Sequence, residues 1–349
     1  MAGSREWRAA LAATAAAAGT GYASGRELVL FFSQTGWAGW LGIPFASAVF
    51  GLLMALACRC AARADTDSLA LALRRLTGPR WAASAAALHG TLPAMTALVM
   101  LFAAGETGAL TLPVSNGFLW GALLALLIAL LMNLSRLRSL PWLGLAVALV
   151  GLAFYGGLAL DPRPVRVHVN GEVALALEGR WAAALLLALI YAAMNACLAA
   201  HAAARFSRGL RPGRVGAQCA ALLCTLLTCA CAAIGRGGRL LLGQALPSVI
   251  LSARWGLTGF WLCAAFTFLC AVTTLAAALG GLSDHLRHSR HRRGAWALTL
   301  AAGLLCATLG LGRAVGMIYP AAGWLCAALL LGFACRAEKG MIPPPIPLR

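Results

Sequence analysis

The stretch Gly19-Thr20-Gly21-Tyr22-Ala23-Ser24-Gly25-Arg26-Glu27 places three glycines, three hydroxyls and two adjacent opposite charges inside one apolar run. Glycines at this density weaken a helix, and an ionisable pair at such depth is costly unless it faces protein or water. Unwound backbone survives in a bilayer only where it is buried in protein or lines a cavity. A helix broken there offers unpaired N–H groups at one new end and unpaired carbonyls at the other, which together can hold an anionic solute group and a cation. The competing reading is a tight helix crossing, in which the G-x-x-x-G pair Gly21 and Gly25 lets a neighbour approach. That reading accounts for the glycines and leaves Arg26 and Glu27 without a reason. Adjacent residues on a helix point about 100° apart, so these two do not pair with each other. Glu27 is thus a candidate proton acceptor, a ligand for a solute amine, or half of a buried ion pair.

The elements that must position these residues follow from composition. Apolar residues make up 61% of the 349 positions and charged residues 11%, against roughly 45–50% and 25% in soluble domains. Mean hydropathy is +0.83, with the excess spread along the whole chain. The net charge of +18 would suggest nucleic acid in a soluble protein. Here almost every basic residue lies at or beyond the end of an apolar run, which is a topology signal and gives no nucleic-acid footprint. The first run follows Arg5 and Arg8 as a signal peptide would, but it continues to Phe32 and reads as a retained span.

The sequence predicts an all-α polytopic membrane protein of about ten transmembrane helices. The apolar segments are 9–32, 37–58, 82–104, 117–134, 140–160, 181–203, 215–234, 256–280, 295–312 and 315–334. With the N-terminus in the cytoplasm, most of the 28 basic residues fall in cytoplasmic loops and tails. Only Arg163, Arg166, Arg180, Arg236, Arg239, Arg254 and Arg313 fall outside. Both termini are then cytoplasmic, and the expected location is the cell inner membrane. The connection 161–180 divides the chain into spans 1–160 and 181–335, five in each, followed by a tail, 336–349. Two odd-numbered sets enter the bilayer with opposite orientation, as an inverted repeat requires.

Within the connection, the alternating run Val165 to Val173 around Asn170-Gly171 predicts a small β-hairpin. The segment 235–255 reads as a lid or an interfacial helix. Asp65-Thr66-Asp67-Ser68 supplies cap candidates for a short amphipathic helix over 65–78.

At the motif of the first span a family resemblance becomes usable. Gly19-Thr-Gly-Tyr-Ala-Ser-Gly-Arg-Glu-Leu-Val-Leu-Phe-Phe32 resembles the first helix of the YkvI-type membrane proteins. Val99-Met-Leu-Phe-Ala-Ala-Gly105 is similar to that family's apolar-then-glycine segment, and Tyr191 with Asn195 resembles its sixth helix. The resemblance implies the amino acid–polyamine–cation superfamily and its LeuT-like five-plus-five inverted repeat, with spans 1 and 6 broken around a central site. It further implies, for sodium-dependent members, an ion held between the span 1 break and span 8 hydroxyls, here Thr273 or Thr274. The alternative for those threonines is a hydrogen bond to their own helix. Span 6 has no glycine or proline to mark an unwound stretch.

Other polar residues carry weaker signals. His89 within span 3 is a candidate proton relay or a helix-to-helix hydrogen bond. His285, His288 and His291 recur among arginines, a pattern of a basic loop on anionic lipid rather than a metal site. Most of the 12 cysteines sit in apolar runs as small filling residues, and Cys58 with Cys60 lacks the partners of a zinc site. No nucleotide-binding loop, nucleophile constellation or cofactor motif is present, and all four aspartates lie in loops. An enzyme is not expected.

The expected function is ion-coupled, symporter-like secondary transport of a small solute, probed first as an amino acid or amine, with Na+ or H+ as the coupling ion and no cofactor. Gly19, Thr20, Gly21, Tyr22, Ser24, Gly25 and Glu27 would form the solute site, with Tyr191 and Asn195 as the facing wall. The alternative is a non-transporting receptor or structural partner that keeps the same fold, and a third reading is channel-like passage. The partners expected are the solute and the lipid bilayer, with no nucleic acid; oligomeric state is left open.

Overall fold

A computed structural model describes residues 2–288, apart from 136, 166–176, 178, 207, 242–243 and 245, together with 324–325, 328 and 331–332. The predicted hairpin from 166 on, the ninth span, most of the tenth and the tail therefore lie outside the described residues, as does the side chain of His89. Among the described residues the chain is helical, without strands.

The first apolar run forms three pieces: α1 (Ala2–Ala17), α2 (Thr20–Ala23) and α3 (Arg26–Phe31). Long helices follow: α4 (Ala38–Arg63), α5 (Leu69–Thr111), α6 (Gly117–Leu134), α7 (Leu140–Leu160), α8 (Trp181–Phe206) and α9 (Pro212–Gly237). A short helix, α10 (Pro247–Ser252), leads through a tight turn into α11 (Gly256–His288). Seven helical segments are long and apolar enough to cross a membrane, and they overlap the second to eighth predicted spans, the third lying further along the chain, at Pro93–Thr111, than the predicted 82–104. Their outward faces carry Leu119, Leu127, Leu149, Leu257 and Trp142, each about half exposed or more, as a lipid-facing surface requires. The protein is a multi-pass membrane protein.

Two expectations change. The helix predicted over 65–78 is the first part of α5, which runs on into the membrane segment. Its start is as expected: Ser68 caps it, accepting from the Leu71 amide at 3.0 Å. The sixth span, which the resemblance implies to be broken, is continuous from Trp181 to Phe206. No glycine or proline interrupts that run, and its alanines favour helix.

α1 is the central element. Ala9, Ala10, Ala12, Ala13, Ala15 and Ala16 are fully buried, because side chains this small let α7, α8 and α9 close around the helix axis. Backbones also meet where α4 crosses α9: a Cβ on Gly51 would lie 2.4 Å from the Gly216 carbonyl oxygen, and one on Gly216 would lie 2.5 Å from that of Gly51. The obstacle is main chain, so it cannot swing aside. Gly51→Ala is expected to destabilise the bundle by about 1–3 kcal/mol. Gly235→Ala, with nothing within 4 Å, is the control. Thermal unfolding in detergent checks the difference.

At one end of the bundle, the lid face, α10 packs against α9 and α11. Asp161, which ends α7, ties this end together. Its carboxylate accepts from the Arg163 amide and Nε, each at 3.0 Å, and from Trp255 Nε1 at 2.8 Å. Its carbonyl accepts from Arg236 at 3.0 Å and Arg254 at 3.3 Å. The hydrogen bonds from Arg163 and Trp255 hold the Asp161 carboxyl down to about 2, from an ordinary 3.8. A depressed acid contributes stability that is fully present above its unfolded value and lost as pH falls through its folded one. Asp161→Asn should therefore lower the melting temperature at pH 7, and the gap to wild type should vanish as pH approaches 2. Parallel melting curves across that window check it.

Candidate functional site

The first helix is interrupted twice. After Ala17 the Gly19 amide turns back to the Ala17 carbonyl at 2.9 Å, which takes it out of the helical ladder. The second interruption is at Ser24-Gly25, where Gly25 sits in the left-handed region with φ +79°. A side chain at Gly25 would be strained and would also strike Ser248 Oγ at 2.8 Å and Ile234 at 2.9 Å. Glycine at this position thus serves both the turn and the close approach of the lid.

At the first interruption the carbonyls released from the ladder meet α5 and α11. The Thr274 hydroxyl donates to the Ala15 carbonyl at 3.4 Å, and Thr274 and Met100 are the nearest neighbours of Gly19. Thr20 Oγ1 points to the Met100 sulfur at 3.7 Å. The Thr273 hydroxyl is taken by its own helix, at Leu269 and Cys270. Of the two threonines, Thr274 is the one that faces the break.

Just past the second interruption, in the first turn of α3, lies Glu27. Its side chain occupies the space a Cβ on Gly21 would need: that atom would lie 2.0 Å from Glu27 Oε1. The other oxygen, Oε2, is buried and makes no hydrogen bond. The carboxyl is close enough to Tyr191 on α8 and Cys270 on α11 to interact electrostatically with both. Arg26 is exposed, and the described residues give Glu27 no basic partner. The ion-pair reading of Glu27 therefore has no support among the described residues.

The remaining predicted residues are distributed around this centre. Tyr191 is fully buried, with its ring 5.5 Å from Phe31 and 5.1 Å from Phe32. Asn195 is buried one turn further along and donates to the Tyr191 carbonyl at 3.1 Å. Tyr22 points the other way, donating to the Leu226 carbonyl on α9 at 3.2 Å. Ser24 Oγ donates to the Gly21 carbonyl at 3.2 Å. Gly19, Thr20 and Thr274 thus meet at the first interruption, Glu27 lies with Gly21 and Tyr191, and Ser24 and Gly25 face α10.

Tyr155 and Ser248 are absent from the sequence reading. The Tyr155 hydroxyl reaches the Tyr22 carbonyl at 2.6 Å, the Ala23 carbonyl at 3.0 Å and Ser248 Oγ at 2.9 Å. A phenol has one hydrogen, which goes to the carbonyls, so Ser248 is the donor to Tyr155. The Ser248 amide in turn donates to the Ser24 carbonyl at 2.9 Å. α10 is thereby pinned by hydrogen bonds on the broken helix. The signal for Tyr155 was its position as the one hydroxyl in the apolar run of α7.

The bundle with its split first helix has the fold of a membrane transporter of known structure. The chain is similar in structure to two mutants of the Eremococcus coleocola manganese transporter, one histidine-to-alanine and one glutamate-to-glutamine. Each matches with a TM-score of 0.56 and 16% identity, over 95% of this chain and 77% of the other. The same transporter in complex with an aromatic bis-isothiourea substituted compound matches with a TM-score of 0.54 and 15% identity. No protein-family model and no curated protein matches the sequence.

Proposed function

We propose that this protein is a secondary transporter of a small amine-bearing solute, amino acid or amine, bound at the interrupted first helix. The observation that carries the reading is Glu27: a carboxyl oxygen buried without a partner, lodged where Gly21 leaves room. An unpaired carboxylate in a bilayer calls for a cation. A solute ammonium supplies one, with released main-chain groups around Gly19 available to its polar remainder. Tyr191, with Asn195 behind it, forms the facing wall.

The coupling ion in this reading is Na+ or H+. Thr274, beside the Ala15 carbonyl, is the candidate sodium contact, and Glu27 the candidate proton carrier. The YkvI-type family, with its five-plus-five repeat, fits the motif Gly19 to Phe32. In the inner membrane with the N-terminus inside, α10 faces the outside. Manganese, transported by the structural neighbours, is not the solute we propose. Among the described residues no three His, Cys, Asp or Glu side chains gather as a metal-ion site.

The experiment is uptake into proteoliposomes, with amino acids and small amines screened against imposed sodium and proton gradients. Gradient-driven accumulation of an amine-bearing solute is the expected result. Binding without flux would make the protein a receptor, and conductance without coupling would make it a channel.

A further inference from the structure

We infer that Glu27 exchanges a proton for the solute's ammonium, so that the proton and the solute are alternative occupants of one carboxyl and move in opposite directions. The inference rests on the transporter reading above and names the coupling chemistry and solute class of the same site.

Glu27 lies in the first turn of α3 with its side chain against Gly21. Its Oε2 is buried and unpartnered. From α8 the titratable neighbour is Tyr191 and from α11 it is Cys270. α9 carries its one basic residue near this level, Arg236, to the Asp161 carbonyl on the lid face. The adjacent Arg26 is exposed and diverges from Glu27 along the helix. The dipole of α3, six residues long, favours an anion at its start by only about 0.3–1 kcal/mol. An uncompensated buried charge costs roughly 3–5 kcal/mol. The second number is the larger, so in the proposed exchange the half-buried carboxyl holds its own proton when no solute is in place.

A solute ammonium changes that balance. When R–NH3+ approaches Oε2, the O–H bond of the carboxyl breaks, the proton passes to water on the open side, and a carboxylate–ammonium pair forms. One positive charge leaves and one arrives, so the net charge of the buried site is unchanged. Return of a proton from the other side would release the solute. Gly21 is what makes the swap possible, since it leaves the carboxyl room to lie against the interruption.

Two measurements on the full-length protein in detergent test this. Dicyclohexylcarbodiimide modifies protonated carboxyls in apolar surroundings, and its adduct is located by mass spectrometry. At pH 6 the adduct should form on Glu27. Saturating ethylammonium chloride should reduce it about tenfold, while equal sodium chloride should not. In weak buffer with a pH indicator, ethylammonium should release protons from wild type and none from Glu27→Gln. Absence of the Glu27 adduct in wild type, equal protection by sodium, or ethylammonium binding without proton release would each overturn the inference. Labelling and proton release without any uptake would leave the exchange standing and remove transport; coupled uptake without either would do the reverse.

Discussion

Gly21→Ala is expected to leave the protein folded and to abolish most of its solute binding. The added Cβ would lie 2.0 Å from Glu27 Oε1 and 2.4 Å from its Cδ. What stands in the way is the end of a flexible side chain, so the carboxyl yields and the helices stay in place. Gly21 lies within α2 and has no positive φ, so alanine suits its backbone and favours the helix by about 1 kcal/mol. Stability should therefore hold or rise while binding falls, two effects of opposite sign. A charge-assisted hydrogen bond contributes roughly 1.5–3 kcal/mol, so displacing the carboxyl should weaken binding by about tenfold to a hundredfold. Melting and ligand titration of the same preparation check both. A variant that melts early and binds normally would return Gly21 to a helix-packing role.

Tyr155→Phe is the second large effect, and it should appear in the lid. The substitution keeps the ring, which packs against Tyr22 at 5.4 Å and Phe266 at 6.0 Å. It removes the donor to two buried carbonyls and the acceptor of Ser248. A buried polar group left without its partner costs about 1–3 kcal/mol. Part of that cost falls on α10, which is then held to the broken helix by the Ser248 amide alone. Deuterium exchange over residues 246–255 should accelerate about tenfold or more. Exchange over α6, away from the lid, should not change. Unaltered exchange at 246–255 would mean that Tyr155 does not fasten the lid.

These two residues also mark how far the sequence could be read. Gly21 was visible because three glycines beside a charged pair violate what a spanning helix wants, and the violation points to a site. Tyr155 was not, because a single tyrosine in an apolar run has the same sequence signature whether it packs or bonds. The spans were legible where polar residues punctuate both ends. α6 and α7 begin and end at the predicted positions, bounded by Asn116, Ser135, Ser139 and Asp161. The start of α5 was legible in Ser68, but its length was not, because continuation past Gly78-Pro79 is decided by tertiary context that a local stop signal does not contain. α11 packs along α5.

The side chains around the break show the same division. Which residues could bond was readable; what each would bond to was not. Thr273 and Thr274 are equivalent in sequence, yet successive helical residues face different ways, and only Thr274 reaches the Ala15 carbonyl. Asn195 is expected in the facing wall and Tyr22 in the solute site of the first span, and their donors go to the Tyr191 and Leu226 carbonyls. Met100 and Ser248 come from segments far away in sequence, and only the packing of α5, α10 and the first helix brings them to it.

The central claim is that Glu27, at the interruption of the first helix, is the group on which solute transport turns. Wild type and Glu27→Gln, reconstituted side by side in proteoliposomes at matched density, measure it with radiolabelled ethylamine under an imposed proton gradient. The account predicts gradient-driven accumulation by wild type and none above empty liposomes by the variant, both proteins melting at similar temperatures. Accumulation by Glu27→Gln at the wild-type rate would contradict it.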